Sequence, residues 1–210
     1  IAVYQETFPL TAQVELLRAR ACLATGDAAA GLTAAQNANQ MDITLLAVYK
    51  VMAEAYQENE QLKASIEPLE TYLAYESKDA EALAMMALAL LETGKFKQAE
   101  EMADRALEVD ERSVPALIVR GEILLRQKKL FEASESLDSA LKIDETSFEV
   151  NILKSRIQLA RDLNASAVEY ARRAFELGIT GQQQATALYW RAMAYTAQKQ
   201  KAAARADLEE

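Results

Sequence analysis

The side chains best equipped for chemistry in this chain are carboxylates set in pairs: Glu100-Glu101, Asp110-Glu111 and Asp144-Glu145. Adjacent carboxylates can ligate a hard cation or share a proton. The third pair, however, repeats the second 34 residues later, as a structural connection would. Glu100-Glu101 falls on an outer helix face. All three read as solvated acidic surface. The chain has no histidine, and Cys22 is its one cysteine. Ser-His-Asp and Cys-His nucleophiles and His-containing zinc sites are therefore ruled out. Cys22 has no base to activate it and is expected as a small buried hydrophobe. No G-x-G-x-x-G or G-x-x-x-x-G-K loop is present to cradle a phosphate. The segment is expected to be non-catalytic and to hold neither cofactor nor metal.

Composition points to a binding or structural role. Hydrophobic residues make up 51%, enough for a buried core, while three prolines and six glycines suit long helices. Net charge is -9, from 23 basic and 32 acidic residues. An acidic chain repels phosphate backbones, and Arg126-Gln127-Lys128-Lys129 is too short a basic stretch to reverse this, so nucleic acid is not expected as a partner. The longest apolar run, Ala82 to Leu91, ends at Glu92 and is too short to insert in a membrane. A lone cysteine forms no intrachain disulfide and assigns no compartment. The chain begins at Ile1 rather than methionine and reads as an excerpt of a longer protein.

What positions these side chains is a repeat of 34 residues. With Ala12, Leu46, Ala80, Val114 and Phe148 as position 1, position 8 reads Ala19, Ala53, Ala87, Gly121 and Ser155. Position 20 reads Gly31, Ser65, Ala99, Ala133 and Ala167. A sixth repeat starts at Ala185 after a three-residue insertion and supplies Ala192 and Ala204 at the same places. A fixed-period match of this kind marks a repeat array. Each repeat reads as two helices, A and B. In the third, helix A runs from Ala80 to Glu92 behind the N-cap Asp79, Thr93-Gly94 turns, and helix B runs from Lys97 to Val109. Ser113 caps the next helix, with Pro115 in its first turn. Small residues at positions 8 and 20 let A and B approach closely. Position 27 (Ala38, Ala106, Ala140, Ala174, with Tyr72 the exception) does the same for B and the next A.

Gly94-Lys95-Phe96 with Ala99, Arg120-Gly121, and Tyr189-Trp190-Arg191-Ala192-Met193-Ala194-Tyr195 resemble the motifs of tetratricopeptide repeat proteins. The resemblance implies an all-α fold, a right-handed α-solenoid of antiparallel helix pairs. Residues 1–11, with Pro9 at position 32, would end helix B of a preceding repeat. Repeats then follow over 12–45, 46–79, 80–113, 114–147 and 148–184, with a truncated sixth at 185–210. The chain departs from the family pattern at Glu15 and Arg18, and at Asn151, Gln158 and Asn164. Pro68 falls within helix B of the second repeat, as a kink on the outer face or as a bend that reshapes the groove. Residues 178–184 read as a longer loop.

In this family helix A lines the concave side, with positions 2, 5, 9, 12 and 13 facing inward. Positions 5, 9 and 12 then nominate Lys50, Glu54, Leu88, Leu91, Ile118, Glu122, Leu125, Ile152, Arg156, Leu159, Tyr189 and Met193. Chaperone-binding members grip a carboxylate with Lys at position 5 and Asn at position 9. Lys50 fits, but Glu54 in place of Asn would repel the ligand. The apolar character of the other positions, rimmed by Glu54, Glu122 and Arg156, suits a protein partner, such as a peptide or an amphipathic helix. The same apolar residues would serve equally as core in a tightly wound array. The expected function is therefore a scaffold or adaptor for protein–protein interaction. The rival is a structural spacer or self-association module in a larger protein.

Overall fold

The computed structural model describes residues 10–209, so Pro9 and the expected helix end before it lie outside the described residues. Among the described residues every regular element is a helix. The chain divides into two compact halves, one up to Asp110 and one from Glu111. The first half contains α1 (Ala12–Ala24), α2 (Ala28–Met41), α3 (Ala47–Glu58), a 3-10 turn (Leu62–Ser65), α4 (Ile66–Tyr75), α5 (Ala80–Glu92) and α6 (Phe96–Val109). The second contains α7 (Val114–Arg126), α8 (Leu130–Ile143), α9 (Phe148–Ala160), α10 (Asn164–Leu177), α11 (Gly181–Ala197) and α12 (Lys201–Glu209). Within each half, helices consecutive in the chain pack as antiparallel pairs, and each pair packs on the next. The odd-numbered helices correspond to helix A of the repeat and the even-numbered ones to helix B.

Helix starts follow from short polar side chains that satisfy orphan N–H groups. Thr11, Asp27, Asp79, Ser113 and Ser147 accept from the amides of Val14, Ala30, Ala82, Ala116 and Val150. The links between repeats are also locally built. Asp42 accepts from the amide and hydroxyl of Thr44, and Asp144 does the same with Thr146. The Asp144-Glu145 pair is thus part of a turn.

The A-to-B turn needs a left-handed residue at position 15 in all six repeats: Gly26, Glu60, Gly94, Lys128, Asp162 and Lys199 have φ between 59° and 79°. Only two are glycine. The other four accept a conformation that costs a side-chain-bearing residue roughly 1–2 kcal/mol, because the closing turn leaves no alternative path.

All twelve residues at positions 8 and 20 are buried. Direct contacts show why they are small. Ser155 Oγ donates to the Ala167 carbonyl at 2.9 Å, joining positions 8 and 20 of the fifth repeat. A Cβ on Gly31 would sit 3.3 Å from the Ala19 carbonyl, joining the same positions in the first. One on Gly121 would come within 2.7 Å of Leu137.

Four expectations change. Pro68 is buried, not on an outer face, and lies in the first turn of α4. Its ring cannot accept an ordinary helical approach to Ala64, so the residues before it tighten into the 3-10 turn and α4 starts late. Cys22 is half-buried rather than core. Residues 181–184 are helical: Thr180 and Gln183 form a capping box that extends α11 backward. Among the polar departures, Glu15, Asn151 and Gln158 are buried and Arg18 and Asn164 half-buried, and Gln158 Oε1 and Asn164 Oδ1 have no hydrogen-bond partner. Glu15 pairs with Arg18 and Asn37, and Asn151 donates to the Ser147 carbonyl. Further along, Lys154, 2% exposed, donates to Ser134 and Asp138, and Arg191 grips Asp207 with two bonds.

Two outcomes test this packing. Ala99→Leu or Ala133→Leu should lose about 1–3 kcal/mol in urea unfolding through overpacking at the A–B crossing. Gly94→Ala should lose about 1 kcal/mol from backbone strain alone, since no atom lies within 4 Å of the added Cβ.

Candidate functional site

In the first half, the face formed by α1, α3 and α5 is organised by Asp79. Its Oδ1 caps α5 while its Oδ2 accepts from Lys50 Nζ and from the Tyr72 hydroxyl, both at 2.9 Å. One carboxylate thus joins α3, α4 and α5. This also explains why position 27 is tyrosine in this repeat. Lys50 Nζ makes a second bond to Glu81 at 2.7 Å, so the one lysine matching a carboxylate clamp is already engaged. Burial works against the Lys50 charge, but Glu81 and Asp79 outweigh it and raise its pKa. Burial likewise opposes ionisation of Asp79. The Ala82 amide, Lys50 and Tyr72 more than offset this and hold it below the usual 3.8. Glu54, one turn beyond Lys50, is half-buried. Burial first, then the charge of Glu81, pushes its carboxyl above the usual 4.5. Leu88 is half-buried and Leu91 is core, 1% exposed.

In the second half, the face of α7, α9 and α11 is centred on an ion pair between position-9 residues of successive repeats. Arg156 donates to Glu122 at 2.7 and 3.2 Å, and Arg126 Nε adds a bond at 2.8 Å. The Arg156 guanidinium lies 5.4 Å from the Trp190 ring centre, and Tyr189 meets Trp190 edge-on at 5.2 Å. Ile118, Leu125 and Leu159 are half-buried. Ile152, 8% exposed, packs with Ala174, Ala187 and Trp190 in a core cluster. Tyr189 and Met193, 49% and 43% exposed, are the nominated residues that present most surface.

The sequence did not nominate Asp79, Glu81, Tyr72, Arg126 or Trp190 for this face, although Asp79 was legible as a cap and Tyr72 as an exception in the repeat. A signal for the ion pairs existed: opposite charges at one repeat position, 34 residues apart, are neighbours across the stack, as Glu122 and Arg156 are. Among the described residues, no cluster of three or more Cys, Asp or Glu side chains is placed to hold a metal. Nor is any helix among them long and apolar enough to cross a membrane.

Residues 84–148 match the family model described as tetratricopeptide repeat. That stretch is tetratricopeptide repeat sequence. Among curated proteins none matches it. Three solved structures share the fold of the repeat chain at low identity. PilW, a type IV pilus biogenesis factor, is 16% identical with a TM-score of 0.77, over 93% of this chain and 90% of its own. A thermophilic tetratricopeptide repeat protein of Thermus thermophilus is 18% identical with a TM-score of 0.71, over 90% and 100%. The Cut9-Hcn1 hetero-tetramer of the APC/C is 12% identical with a TM-score of 0.88, over 99% of this chain and 41% of its own. At these identities the likeness establishes the α-solenoid of helix pairs and nothing of partner. Tetratricopeptide repeat arrays are in general non-catalytic scaffolds for protein partners.

The charges of the first face give a pH test. The lowered pKa of Asp79 contributes stability above 3.8 that is lost as pH falls through the lowered value. Asp79→Asn should therefore cost about 0.5–1 kcal/mol at neutral pH in urea unfolding, and the deficit should close in acid. Glu54 has the opposite sign: its contribution is present below 4.5 and is lost as pH rises through the raised value. Glu54→Gln should leave stability equal or higher at neutral pH, and the difference should vanish below 4.5.

Proposed function

We propose that this chain is a protein–protein interaction scaffold that takes a peptide or partner helix on the face of α7, α9 and α11. One observation carries the reading: Tyr189 and Met193 lie one turn apart on α11, each more than two-fifths exposed, beside the Arg156–Trp190 stack. Aromatic and methionine side chains with a neighbouring arginine are the residue types on which contact energy concentrates. Half-buried Ile118, Leu125 and Leu159 extend the apolar floor, and Glu122 with Arg156 gives it a polar centre. An amphipathic segment would place apolar side chains at spacings of three and four against this floor. Buried Ile152 supports the floor from beneath and does not meet the partner in this reading.

The test uses the exposed pair, because a charge at Ile152 would unfold the core before it reported on binding. A photo-crosslinking residue at Tyr189 should capture a partner from source-cell lysate that the same probe at Glu101, on the outer face, does not. Tyr189→Ala/Met193→Ala should weaken that partner at least about tenfold while helicity stays at the wild-type level. Equal capture at both probe sites would sink the proposal. Crosslinks only between copies of the chain, with dimers in sedimentation, would replace it with self-association.

A further inference from the structure

The first half contains a recess of about 140 Å³ bounded by α2, α3 and α4, which shares no residue with the cluster around Asp79. It exists because two residues break the repeat. Position 28 is Leu73, Leu107, Leu141 and Phe175 elsewhere, but here it is Asn39, whose short side chain leaves the space unfilled. Pro68 lines the opposite side, where the 3-10 turn delays α4.

The walls of the recess are rich in acceptors. Asn39 Oδ1 is buried and has no hydrogen-bond partner. The Tyr49 hydroxyl spends its proton on the Ile43 carbonyl at 3.0 Å, which leaves its lone pairs. The Thr71 hydroxyl spends its proton on the Glu67 carbonyl at 3.1 Å, with the same result. Glu67 is the one charged side chain among the lining residues, and its carboxylate only accepts. Two donors also belong to the lining residues: the Tyr56 hydroxyl, which accepts from Gln36 Nε2 at 3.3 Å and keeps its proton, and Asn39 Nδ2. An orphaned buried acceptor costs roughly 1–3 kcal/mol unless a donor reaches it, so the recess is incomplete as it stands.

We infer that this recess binds a primary alkylammonium group. An ammonium brings three donors and no acceptor, which complements Asn39 Oδ1, Tyr49, Thr71 and Glu67. Its positive charge is matched by Glu67, and two tyrosines and Met52 supply apolar and aromatic surface for the alkyl stem. The volume suits the end of a chain of a few carbons rather than a larger metabolite. That chemistry is shared by a free small amine and by a lysine side chain of a partner.

The experiment is an amide and side-chain amide NMR titration of the whole chain with n-butylammonium chloride at constant ionic strength, beside n-butanol and sodium chloride. Saturable shifts at Asn39, Thr71 and Tyr49 with a dissociation constant on the order of millimolar are expected, absent with both controls. Asn39→Leu, which installs the residue the other repeats carry, should abolish them. Glu67→Gln, at the surface, should weaken them about tenfold and serves if the first variant folds poorly. A capped Ac-Gly-Lys-Gly-NH2 peptide, whose one charge is the lysine ammonium, that shifts the same signals would identify a partner lysine as the ligand, and its failure beside a bound amine would identify a free amine. Equal shifts with butanol, shifts confined to other surface carboxylates, or no saturation would overturn the inference and leave the recess as a site for water.

Discussion

Two helices can pair in this chain only as closely as the side chains between them allow, and positions 8 and 20 set that limit. Where Ser155 bonds the Ala167 carbonyl, or where Gly31 leaves room for the Ala19 carbonyl, side chain and backbone are in contact without a second layer between them. Interiors are packed like crystals, so an added methylene at such a place has nowhere to go. This is why the same positions are buried in repeat after repeat. It is also why residues one period apart, such as Glu122 and Arg156, meet as neighbours.

The connections are under a second constraint: they must reverse the chain within a few residues. Caps and aspartate turns do this cheaply with local hydrogen bonds. The left-handed residue at position 15 is less cheap. Glu60, Lys128, Asp162 and Lys199 hold it without glycine's freedom, so pair packing outweighs local backbone preference there. Asp79 shows the two scales joined in one side chain. Its first oxygen ends a helix locally, and its second ties two other helices to that end through Lys50 and Tyr72.

Against this regular frame the surfaces differ between halves. The face of the first half is occupied by charge that is already paired, with Lys50 held by two carboxylates. The face of the second half gathers its charge into one arginine–glutamate centre and leaves aromatic and methionine surface beside it. The recess of the first half has a different origin again: it is a packing defect where one residue is too short for the repeat and a proline alters the start of a helix. Solenoids gain distinct surfaces this way, by varying residues that the repeat does not need for packing.

Much of this was legible in the residues themselves. The period of 34, the small residues at its crossing points, and the caps Asp79 and Ser113 depend on local chemistry and fixed spacing, and they yielded the helix pairs and the bounds of the helix Ala80–Glu92. The face of helix A followed from the same register. Its accessibility did not, because burial depends on how neighbouring helices close over it. Leu91 and Ile152 share positions with exposed or half-exposed residues of other repeats and yet are core. The partners of Lys50 and the stack of Arg156 on Trp190 needed side chains from different helices to be placed within a few ångströms of each other. Composition and periodicity determine which element a residue belongs to and which way that element's stripe faces. Only tertiary packing decides which of those side chains is covered, paired or left open to a partner, since that is set by distances between elements and not along the chain.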